Sequence, residues 1–155
     1  MKLTTEWLTE QQACQAGMDW FAHQTETDSI KVVRKLHTEK RNDWANWLIV
    51  RLMNRKQQLR YAINAAELAL PWWEKQYPDD KSPRLAIEAA RAVLANNTKE
   101  TRAAARSAGW IAAWSATESA AGGADYAAYV GVSWSPLLEY GIELLESEEK
   151  HETNN

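Results

Sequence analysis

Apolar positions in this chain recur every three or four residues, the spacing that lines one face of an α-helix, and no stretch alternates cleanly enough to be a strand. The clearest run opens with a capping box, Asn54 and Gln57. It continues through Leu59, Ile63, Ala66, Leu70, Trp73 and Tyr77 at steps of four, three, four, three and four. Pro71 lies inside this run and is expected to kink it near residues 67–70, because proline removes one backbone hydrogen bond and crowds the carbonyl four residues back. Residues 78–83 make a polar turn. Ser82 before Pro83 predicts a hydroxyl cap with proline at the first helical position, and the next helix turns Ile87, Ala90 and Leu94 inward with Arg84, Glu88 and Arg91 outward or sideways. It ends at Asn96 and Asn97. So short a turn makes the two helices antiparallel neighbours.

Upstream, Thr9 and Gln12 have the spacing of another capping box, followed by a helical stretch that Gly17 interrupts and Met18, Trp20 and Phe21 resume. Thr27 and Asp28 open an amphipathic surface helix with Ile30, Val33 and Leu36 or His37 on its inner face. Residues 44–53, capped by Asn42 or Asp43, are apolar around most of a helical circumference, so they are expected to form a central helix with Trp44 and Trp47 in the core. Downstream of Thr98 the chain is rich in alanine, which lets helix axes approach closely, as far as a break at Gly122 and Gly123. A short helix through residues 126–130 follows. The last helix opens at Ser135 and Pro136 with Leu137, Leu138, Tyr140, Ile142, Leu144 and Leu145. The expected class is all-α, a compact array of antiparallel helical hairpins similar to a short solenoid. A single helical domain over 1–146 would precede an acidic, disordered tail over 147–155.

Composition supports that class. Twenty-five alanines against six glycines and four prolines suit close-packed helices with few turns, and 155 residues suffice for one hydrophobic core without disulfides or metal. Cys14 is the only cysteine, which excludes an intramolecular disulfide and a cysteine-based zinc site. No apolar stretch near the start resembles a signal peptide. The purely apolar run Trp47-Leu48-Ile49-Val50 is far below the roughly 18 residues of a membrane span. A cytoplasmic protein with no membrane contact is expected.

The formal net charge is -3, yet residues 31–60 carry nine basic against two acidic residues, a net +7, and residues 139–152 carry six acidic against one basic, a net -5. A charge dipole follows. Basic residues near aromatics can hold phosphates and stack bases, so a nucleic-acid accessory role on the 31–60 face is one alternative, with a solvated basic face the preferred explanation.

Candidate chemistry is sparse. His23, His37 and His151 lie in separate segments without metal-ligand spacing, no nucleophile elbow or P-loop is present, and neither a cofactor nor a catalytic residue is expected. Arg51, Arg60, Glu67, Arg84 and Glu88 form the most informative polar set. Arg51 follows Trp47 and Leu48 on an apolar helix and must find acceptors, for which Glu67 or Glu88 are candidates. Arg60, Asn64 and Glu67 share a face. The set is either a buried ion-pair network that fixes helix docking, the preferred reading, or a pocket for a small anionic ligand. Nine tryptophans are far above average usage. Trp72 and Trp73 are adjacent and point about 100° apart on a helix, so one tends to the surface; that residue, or Trp110 or Trp114, is the candidate anchor for a protein partner.

Residues 60–94 resemble the helical hairpin of the immunity proteins of bacterial polymorphic toxin systems. The likeness rests on an Ala-rich helix ending in Tyr77-Pro78-Asp79-Asp80, then Pro83-Arg84, then Ala86-Ile87-Glu88-Ala89-Ala90. Residues 43–53 resemble small helical proteins of the same group found in phages and prophages, and the similarity extends to about residue 130. Members often carry a histidine after the Ala-rich stretch; residues 115–121 contain none. The resemblance implies an all-α binding protein; with the missing catalytic constellation, the charge dipole and the tryptophan excess, the expectation is a non-enzymatic protein that neutralises or modulates another protein, a toxin or a host protein.

Overall fold

A computed structural model describes residues 1–108 and 133–152 of the chain. The described residues form eight α-helices and no β-strand: α1 (Thr5–Glu10), α2 (Gln15–Ala22), α3 (Ser29–Thr38), α4 (Asn42–Leu52), α5 (Arg55–Gln76), α6 (Ser82–Ala95), α7 (Lys99–Ala108) and α8 (Trp134–Glu152). The chain divides into two compact units, Met1–Leu52 and Met53–Asn155.

In the first unit, the Leu3 amide donates to the Thr27 carbonyl at 2.7 Å and the Ser29 amide to the Met1 carbonyl at 2.9 Å, so the first three residues are tied to the entry of α3. Asp28 caps α3 by accepting from the Lys31 amide at 3.1 Å, as its sequence position predicts. Helix α3 buries Val32, Val33 and Leu36 and packs on α4, which buries Ala45, Asn46, Leu48, Ile49 and Val50. Between them Lys40 has φ 63°, its amide bonds to the His37 carbonyl and the next amide, of Arg41, to the Leu36 carbonyl. That double bond pattern is a Schellman close, made here without the glycine that usually occupies the left-handed position.

Several expectations for this unit are corrected. The first helix is capped by Thr4, whose hydroxyl accepts from the Trp7 amide at 3.1 Å. Thr9 lies inside α1 and donates its hydroxyl back to the Thr5 carbonyl at 2.8 Å. The break falls at residues 11–14, where Gln12 has φ 61°, and α2 runs unbroken through Gly17. Trp44 and Trp47 are half-buried, since each ring carries a guanidinium on its outer face: Arg41 at 4.7 Å from the Trp44 centroid, Arg51 at 5.0 Å from that of Trp47.

The second unit begins with the predicted capping box. The Gln57 amide donates to Asn54 Oδ1 at 3.0 Å and the Asn54 amide to Gln57 Oε1 at 2.9 Å. Helix α5 continues through Pro71. It packs on α6 and α8, and α6 packs on α7. Ile63, Ile87 and Ala90 form the buried centre of the α5–α6 seam, flanked by Leu59, Ala66, Leu70 and Leu94. The apolar stripe read from the sequence is therefore the packed seam as far as Leu70; Tyr77, its last member, is exposed. At the head of α6 Ser82 is the first helical residue, and its amide donates to Asp80 Oδ1 at 2.9 Å, so Asp80 supplies the capping oxygen expected of Ser82. Helix α8 buries Leu137, Leu138, Ile142, Leu144 and Leu145 and extends to Glu152, so residues 147–152, expected as tail, are helical. The glycine pair and the helix expected over 126–130 lie outside the described residues, and among those described no helix is long and apolar enough to cross a membrane.

Candidate functional site

Two features of the α5–α6 hairpin stand out chemically, its tip and a pocket on its flank. At the tip, the indole of Trp73 donates to Asp80 Oδ2 at 3.1 Å and its ring lies 4.7 Å from that of Tyr77, tilted by 42°. Trp73 is thereby turned into the turn and half-buried. Its neighbour Trp72 points away and is 38% exposed, while Tyr77 and Leu85 are each 52% exposed. These three are the exposed large apolar side chains of the hairpin. The Asp80 carboxyl is held below the ordinary aspartate range, chiefly by the Ser82 hydroxyl and amide and further by the Trp73 indole.

Ion pairs cross the seam in a regular pattern. Arg84 donates to Glu74 through Nε at 2.9 Å and Nη2 at 2.7 Å, and Arg91 donates to Glu67 through Nε at 2.8 Å. Glu67 and Glu74 are seven residues apart on α5, as Arg84 and Arg91 are on α6, so the two pairs form successive rungs two helical turns apart. The five-residue cluster inferred from the sequence is not assembled in this way. Arg84 is 52% exposed and takes Glu74 as its partner, Glu88 is exposed without an ion pair among the described residues, and Arg51 is an exposed cation over Trp47. The buried network is replaced by surface pairs. Sequence reasoning offered Glu67 or Glu88 to Arg51 and grouped Arg60 with Glu67 along one helix face. The signal it missed is the matched seven-residue spacing of acids and bases on two helices joined by a short turn.

Arg60 and Glu67 do share a pocket. It has a volume of about 270 Å³ and is lined by Arg60, Ile63, Asn64 and Glu67 of α5, Arg91 and Leu94 of α6, and Tyr140 of α8. Arg60 is half-buried with no ion pair or side-chain hydrogen bond among the described residues, and Asn64 Oδ1 is a buried acceptor with no donor. Trp110 and Trp114, the other candidate anchors, lie outside the described residues. In the basic stretch, Lys31 pairs with Glu26 at 3.4 Å, Arg41 with Glu39 at 3.3 Å, and Lys35 donates to Gln24 at 2.6 Å.

The fold and these features define an all-α protein with an apolar hairpin tip. Residues 48–131, more than half of the chain, match the family model described as "Imm-5 like putative immunity protein", and the chain belongs to that family. The matched segment contains α5, α6, α7, the tip and every pocket residue except Tyr140. Neither the search of curated proteins nor that of solved structures found a match.

Proposed function

We propose that this chain is a non-enzymatic, cytoplasmic protein-binding module that neutralises a partner protein, as an immunity protein or as an accessory protein of a phage or prophage. The observation that carries the reading is the hairpin tip. Trp72, Tyr77 and Leu85 expose large apolar surface within the family segment, where a folded monomer gains nothing from exposing it, and Trp and Tyr are the residues most enriched at binding hot spots. The internal bonding of Trp73 and Asp80 holds the tip in shape before a partner arrives, which lowers the ordering cost of binding.

The test is a protection assay in which this chain is co-expressed with any toxic effector found encoded beside its gene. Wild type restores growth, and the double variant Trp72→Ala/Tyr77→Ala, with helical circular dichroism unchanged, loses protection. Equal protection by the double variant would remove the tip from the interface. Failure of wild type to protect, together with failure to capture the effector, would remove the reading itself.

A further inference from the structure

We propose that the pocket between α5, α6 and α8 binds a single carboxylate that carries a hydrogen-bond donor beside it. The first ground is Arg60. Arg84 and Arg91 of the hairpin have carboxylate partners, whereas Arg60 is half-buried in the pocket wall with none among the described residues. A guanidinium partly removed from water is stabilised by an acceptor, and its planar fork matches two oxygens on one centre.

The second ground is charge. Arg60, Arg91 and Glu67 give the pocket a net +1, because Glu67 is already committed to Arg91. A monoanion balances that charge; a phosphate dianion would overfill it and face the Glu67 carboxylate as well. Third, Asn64 Oδ1 is buried without a donor, and an acceptor so placed is satisfied by a polar hydrogen carried near the ligand's carboxylate. Ile63 and Leu94 supply an apolar wall for a short carbon chain. The volume of about 270 Å³ lies just under the roughly 300–1,000 Å³ of pockets for drug-sized ligands, which sets the size of the group. The carboxylate comes either from a free small acid or from an Asp or Glu side chain of a protein, whose own backbone N–H is the donor. The site stands on the geometry of this pocket, whether or not the hairpin tip meets a partner.

The experiment titrates the full chain, by calorimetry and by backbone amide NMR shifts, with three probes, succinamate for the free acid, N-acetyl-aspartate N-methylamide for the protein side chain, and inorganic phosphate, and with acetate as a donor-free control. At least one carboxylate saturates a single site, phosphate binds roughly tenfold more weakly or worse, and Arg60→Gln weakens the carboxylate by roughly ten- to a hundredfold. Whichever carboxylate binds more tightly identifies the source. Asn64→Leu weakens succinamate and leaves acetate, which has no donor, unchanged. Glu67→Gln releases Arg91 and raises the pocket charge to +2, so all three probes tighten, phosphate most. Saturation by neither carboxylate, undiminished binding by a folded Arg60→Gln, or wild-type preference for phosphate would each overturn the assignment.

Discussion

Gln57 is a buried amide with both ends engaged. Its Oε1 accepts from the Asn54 amide and its Nε2 donates to the Leu144 carbonyl at 2.7 Å, so one side chain both caps α5 and ties it to α8. Only the first of these bonds was legible, because a capping box is written within four consecutive residues while the α8 carbonyl lies 87 positions away. Gln57→Ala removes the reciprocal half of the cap and a buried donor, a loss of about 2–3 kcal/mol when one cap and one buried hydrogen bond are counted. Urea unfolding followed by far-ultraviolet dichroism reads that loss as a lower midpoint with an unchanged slope. Glu67→Ala, by contrast, lowers stability by no more than about 1 kcal/mol, since its partner Arg91 is 63% exposed and water screens the pair. The tryptophan pair shows the same limit of local information. Adjacent residues on a helix must diverge, which the sequence tells. That Trp73 is the one drawn inward depends on Asp80 across the turn.

At the scale of the element, the hairpin owes its shape to a turn whose chemistry is acid-sensitive. Asp80 accepts from Ser82 and from the Trp73 indole, and both bonds favour its charged form. Its carboxyl in the folded protein therefore titrates below the ordinary aspartate value. The stabilisation is complete above that ordinary value and is lost as pH falls through the lower folded one. Asp80→Asn lacks this dependence, so the difference in melting temperature between wild type and Asp80→Asn shrinks as the buffer is acidified through that window. A difference independent of pH would show that the charge contributes nothing to the turn. The hairpin as such was readable, from a stripe at helical period, a proline-bounded turn and a second stripe. Its cap was not, because Ser82-Pro83 and Asp80 offer competing oxygens and only the path of the turn decides between them. The rungs Arg84–Glu74 and Arg91–Glu67 were missed for a related reason: antiparallel register follows from the turn, and i to i+4 arithmetic within one helix cannot see it.

For the whole molecule, the question is which surface governs association. The basic stretch 31–60 offers fewer free cations than its net charge suggests, as Lys31 and Arg41 are paired with acids, Lys35 is bonded to Gln24, and Arg41 and Arg51 lie over indoles. Charge of this kind steers encounter across distances comparable to the Debye length, about 8–10 Å near physiological salt, whereas desolvated apolar anchors set how long a complex lasts. If the Trp72, Tyr77 and Leu85 tip is the contact, rate and lifetime must separate. Added salt should slow association with the partner protein and leave dissociation nearly unchanged. Leu85→Ala and Tyr77→Ala should each speed dissociation about tenfold, the equivalent of about 1.4 kcal/mol, at an unchanged association rate. Surface plasmon resonance at several salt concentrations resolves both constants. A complex whose dissociation quickens steeply with salt, and is indifferent to the tip variants, would place the contact on charged surface and return the basic stretch to consideration.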